Sequence, residues 1–163
     1  MMTDFGNISL SIQNTVDSIT WFLPEITLGL GFLLVILIDL FVKKAKQVVF
    51  SASVLTLLVA GFFLVRQFLA LSQKLILFNG MFMLDNNIVV FKLITLFASL
   101  LSLIYFSQDR KLNNHPKGTG DFHSIFIAAV LAMFALISSA NLMMLYVSVE
   151  MISLAFYLMG SYT

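Results

Sequence analysis

Between Asp121 and the C-terminal residue the only formal charge is Glu150, mid-way along an apolar segment from Leu142 to Tyr162. About twenty such residues cross a bilayer, so the carboxylate is expected near mid-depth, where ionisation costs roughly 2.5 kcal/mol or more. Two kinds of chemistry account for an acid there. One is ion or proton handling, the usual role of an intramembrane carboxylate; the other is a carboxyl kept neutral or paired for packing. On a helix, Tyr146, Glu150, Ser153, Tyr157 and Ser161 recur at steps of four, three, four and four residues and so share one face. Leu145, Ile152, Ala155 and Met159 lie off that stripe, as a wall against lipid or other helices would. The stripe is expected to face protein or water inside a bundle. Its hydroxyls either pass a proton along hydrogen bonds or act as glue between helices.

Composition fixes what must position these groups. The chain is 60% hydrophobic and 10% charged, with a mean hydropathy of +1.02, against about 25% charged residues in soluble domains. It is an integral membrane chain. Cysteine is absent, which excludes disulfides, thiolate metal sites and haem attachment, and the chain brings no redox chemistry of its own. A net charge of +1 and the lack of a glycine-rich phosphate loop leave no case for nucleic acid or nucleotide. His115 and His123 have no ligand-spaced companions and read as loop residues.

The apolar runs predict an all-α membrane protein, a single transmembrane domain over residues 1–163 with about five spans at 22–42, 47–71, 88–106, 122–139 and 142–162. Met1 to Thr20 is polar, carries Asp4 and Asp17, and lacks the basic start of a signal peptide; it reads as a short external segment. Trp21 marks an interface, and Pro24 and Glu25 suit a first helical turn. Asp39 stands four residues before Lys43, which suits an ion pair at the membrane boundary better than a buried proton site. Arg66 is near enough to the end of the second span to snorkel outward. Ser72 to Asn87 is a longer connection, with a short amphipathic piece expected around Leu75 to Leu84 and capping residues at Asp85, Asn86 and Asn87. Lys92 enters the third span by about 7 Å, from which snorkelling back to the interface is the favoured reading and a proton relay the alternative.

Phe122 to Tyr162 would run about 60 Å as one helix, twice the hydrocarbon thickness, so a break is placed at Ser138 to Asn141. Two cationic loops, Lys43 to Lys46 and Arg110 to Lys117, then fall on one side. They are expected in the cytoplasm or mitochondrial matrix, with the N-terminus opposite and Thr163 on the loops' side.

The stretch Phe122 to Tyr162, with SANLMMLYVSVEMISLAFYLMGSY at its end, resembles the fourth and fifth helices of subunit N of NADH:quinone oxidoreductase, called subunit 2 in mitochondria. FLPEITL and GMFMLDNNIVVFKLI are similar to that family's first helix and its entry to the third, so the resemblance covers most of the chain. Its most specific part is the acid followed by ISL and an aromatic two residues on. Val149 replaces the tryptophan that often precedes this acid in sibling subunits, and Ala155 stands where the family often has proline.

The resemblance implies the N-terminal part of an antiporter-like fold with repeated broken helices. It makes Glu150 the proton-translocation residue, an acid that tunes the proton affinity of a lysine on the seventh helix, with Tyr146, Ser153, Tyr157 and Lys92 as an accessory polar path. That lysine is not in this sequence, and the chain reads as the N-terminal third of the subunit. The implied activity couples quinone reduction to proton transport, with NADH, FMN, iron–sulfur clusters and quinone bound by other subunits. Implied partners are other membrane-arm subunits, including sibling antiporter-like ones, the remainder of the same subunit and the lipid bilayer. The implied location is the bacterial inner membrane, or the mitochondrial inner membrane. The alternatives are a non-pumping membrane scaffold, and a subunit of a sodium/proton antiporter or membrane-bound hydrogenase.

Overall fold

The computed structural model describes residues 15–16, 18–41, 46–108 and 120–161. Five of its helices are long and apolar enough to cross a membrane. They are α1 (Leu23–Phe41), α2 (Lys46–Ala70), α3 (Asn86–Ser107), α4 (Gly120–Ser138) and α5 (Leu142–Gly160). The chain is therefore an all-α, multi-pass membrane protein, as its hydropathy predicts. Thr15, Val16 and Ser18 to Trp21, at the end of the polar opening stretch, are also helical. The Lys43 and Lys44 turn, and the loop with Arg110, Lys111, His115 and Lys117, lie outside the described residues.

Each of the first three helices buries one narrow stripe. In α1 it is Glu25, Leu28, Gly31 and Val35; in α2 Val49, Ser53, Leu57, Ala60, Leu64 and Gln67; in α3 Val89, Lys92, Leu96, Ser99 and Leu103. Steps of three and four residues keep each stripe on one side, and the opposite faces carry exposed leucine and phenylalanine, as a lipid-facing surface does. The fourth helix is buried on several sides and packs against all four other spans, so it is the centre of the bundle. In consequence α1 and α3 stand on opposite sides, each packed on α2 and α4. At Gly31 the α1–α2 crossing is so tight that a Cβ would lie 2.0 Å from Thr56 Cγ2.

The connection from α2 to α3 holds a β-hairpin where the sequence suggested a short amphipathic piece, whose type it left open. Leu75–Leu77 (β1) pairs antiparallel with Phe82–Leu84 (β2), with Ile76 opposite Met83. Period-two burial explains the difference: Leu77, Phe82 and Leu84 point inward while Ile76 points out. The turn holds Phe78, Asn79 and Gly80 at φ values of 50°, 54° and 90°, conformations easy for asparagine and glycine but costly for phenylalanine. Phe78 is held there by the Phe22 ring, edge-on at 5.2 Å, and by its N–H, which donates to Ser18 Oγ at 3.3 Å.

The hairpin also shapes the break between α4 and α5. Ala140 N–H donates to the Met81 carbonyl at 3.0 Å, and Phe82 bridges to Ser139. Asn141 then caps α5, its side chain accepting the Met144 N–H at 2.8 Å. Asp85 caps α3 in the same way through Asn86 N–H at 2.7 Å. One end of the bundle, the hairpin end, is thus built from the hairpin, the start of α1 and both caps; the other is the loop end.

Candidate functional site

Glu150 lies on α5, eight residues past Leu142, or about 12 Å along the helix. Only Ser148 and Ala155 of this helix are buried, with Met144 and Met159 also packed on the core, and α4 is the helix they meet. The polar stripe therefore points away from the bundle. Glu150 is exposed, as are Tyr146 at 64% and Tyr157 at 77%. The side chains of Tyr146 and Glu150, one turn apart on the same face, are near enough to interact with each other. Ser153 does not join them: its hydroxyl donates to the Val149 carbonyl at 2.8 Å, and that of Ser161 donates to Leu158 at 2.7 Å. Within this chain the stripe is thus a Tyr–Glu pair with separate hydroxyls, and its other side is not covered by described residues.

Lys92 belongs to a different site. It is 2% exposed and does not reach the interface; its ammonium donates to Glu25 Oε1 in a buried ion pair. Helical side chains lean toward the N-terminus of their own helix, so the lysine stem runs back toward the hairpin end, as snorkelling requires. There it meets the carboxylate of the first turn of α1 before it reaches water. The pair links helices on opposite sides of the bundle, and Lys92 Nζ also sits over the Phe134 ring of α4 at 5.9 Å. Glu25 was legible from sequence only as a helix-start residue. The missed signal was two opposite charges entering two spans from the same end at similar depth.

Lys43, the expected partner of Asp39, lies outside the described residues. The Asp39 carboxylate lies against the first residue of α4, where a Cβ on Gly120 would come within 1.8 Å of Asp39 Oδ1. The positive end of the α4 dipole faces it there, and Asp121 and His123 are within electrostatic range. His123 is not a loop residue: it is buried in the first turns of α4, edge-on to Phe50 at 6.2 Å. Arg66 is exposed at the hairpin end of α2, as expected.

No family model matches the chain. Against individual curated proteins it is 28% identical over 157 residues to NADH-quinone oxidoreductase subunit N of Chlorobium chlorochromatii, covering 96% of this chain and 30% of that protein. It is 33% identical over 147 residues to subunit N of Ruthia magnifica, covering 90% of this chain and 30% of that protein. Subunit N 2 of Chloroherpeton thalassium is 32% identical over 143 residues, covering 86% of this chain and 28% of that protein. The chain spans less than a third of the length of these relatives, and over that span it is similar to NADH-quinone oxidoreductase subunit N.

Proposed function

We propose that this chain forms the N-terminal part of a proton-translocating membrane-arm subunit of NADH:quinone oxidoreductase, in which Glu150 handles protons. The observation that carries the reading is the position of Glu150: a carboxylate about 12 Å into a spanning helix, beside Tyr146 on a face that the described residues leave uncovered. An ionised group held at that depth needs a polar or cationic partner, because lipid offers none. The kinship of the chain to subunit N supplies the setting, a larger subunit whose further helices close over the stripe. An ammonium on such a helix would be stabilised by ionised Glu150 and would release its proton when the carboxylate moved or was neutralised.

On this reading the chain's own work is electrostatic. Redox chemistry, with NADH, FMN, iron–sulfur clusters and quinone, belongs to other subunits. The partners are the rest of the same subunit, neighbouring membrane-arm subunits and lipid, and the membrane is the inner membrane of a bacterium, or of a mitochondrion. The test is Glu150→Gln in the assembled complex, which keeps volume and removes charge. Protons moved per NADH oxidised should fall with assembly unchanged. Wild-type stoichiometry in a fully assembled variant would leave the scaffold reading in its place.

A further inference from the structure

The buried pair on the opposite side of the bundle is not used by the reading above. We propose that Glu25 and Lys92 form a second proton-loading site, served by water from the hairpin end. Both residues are 2% exposed, and Lys92 occupies one carboxylate oxygen of Glu25. The other, Oε2, is buried without a hydrogen-bond donor among the described residues. A second acceptor nearby shares this condition. Gln67 donates its Nε2 to the carbonyl of Trp21, one turn before Glu25, and its buried Oε1 has no donor among the described residues.

Gln67 and Pro24, the neighbour of Glu25, line an open cavity of about 160 Å³ that Trp21 and Arg66 also border. A water needs roughly 10–15 Å³ of such space and two or more polar partners, so the cavity has room for several. Gln67 Oε1, on a residue that lines the cavity, and Glu25 Oε2, on the neighbour of one, are buried acceptors without donors among the described residues, and a short file of water entering there would satisfy both. A dry interior would leave both uncompensated.

The chemistry follows from the pair itself. As an ion pair it has no net charge. A hydronium in the file gives its proton to Oε2: one O–H bond forms on the carboxyl, one breaks in the hydronium, and water remains. The pair then carries +1, held on Lys92 over the Phe134 ring, whose face stabilises a cation. Release reverses the same step. Lys92 is the charged group that acts on Glu25 among the described residues, and the one open oxygen, Oε2, suits a proton rather than a metal cation, which takes several oxygen ligands.

The proposal rests on the proton-translocating reading for its setting, and its test separates the two. In the complete complex, the double variant Glu25→Gln with Lys92→Met replaces the ion pair by a neutral pair of similar volume, while Glu150→Gln is measured alongside. The double variant should assemble as wild type and lose roughly twofold or more in protons moved per NADH oxidised. Normal stoichiometry in the double variant with a loss in Glu150→Gln overturns this site alone; normal stoichiometry in both overturns the translocation reading as well. If the double variant fails to assemble, a high-resolution structure of the wild-type complex decides. Ordered water on Glu25 Oε2 supports the site, and an apolar side chain packed against that oxygen overturns it.

Discussion

Two glutamates of one chain sit within membrane spans and are solved in opposite ways. Glu25 is buried at the hairpin end, paired with Lys92 from a helix on the far side of the bundle and roofed by α4. Glu150 stands on the outer face of the last helix, beside Tyr146 one turn away. What differs is the face of the helix, not the residue. Glu25 lies in register with Leu28, Gly31 and Val35, so packing α1 carries it inward. Glu150 is out of register with Ser148 and Ala155, so packing α5 carries it outward. A helix that buries only Ser148 and Ala155 and turns its carboxylate outward leaves that carboxylate to be covered by something else.

The largest expected effect is at the buried pair. Glu25→Gln or Lys92→Met alone strands a buried charge and should cost about 3–5 kcal/mol, whereas the double variant should recover most of that. Thermal unfolding in detergent of the three variants measures the coupling. Additive losses would mean that the two groups do not depend on each other.

A smaller loss is expected where α1 crosses α2. Gly31→Val would drive its branched side chain into Thr56, at a cost of about 1–3 kcal/mol. Shortening the neighbour with Thr56→Ala should restore part of it. Failure of that second change to help would place the strain elsewhere. At the open site, Glu150→Gln and Tyr146→Phe should each shift stability by no more than about 0.5 kcal/mol, because neither side chain is packed within this chain. A large loss of folded protein on either change would mean that the stripe is structural.

The bundle was legible because its cause is local. Runs of about twenty apolar residues, Asn141 as a cap and the serines before it mark helices whatever surrounds them. The polar stripe of α5 was legible for the same reason, being a property of one helix. The hairpin was missed because Leu75, Leu77, Phe82 and Leu84 become an inward face only once the start of α1 and the α4–α5 junction are there to receive them. The pair of Glu25 with Lys92 was missed because 67 residues separate its members, and no spacing within either helix announces the other. Asp39 against Gly120 is a third long-range contact of this kind.

The two ends of the bundle give a prediction that perturbs nothing. Cysteine is absent from the chain, so single cysteines at Gln73, beside the hairpin, and at Gln108, after α3, can be labelled without background. Both are exposed, and an impermeant reagent should reach them from opposite sides of the membrane. Labelling of both from one side would break the five-span arrangement.

The central claim is that the Glu150 face is completed by helices outside this chain, one of which carries a cation. A structure of the complete subunit in its assembly measures this directly. An ammonium or guanidinium within about 4 Å of the Glu150 carboxylate is the predicted result; acyl chains packed against that carboxylate, with no basic group in reach, would contradict it.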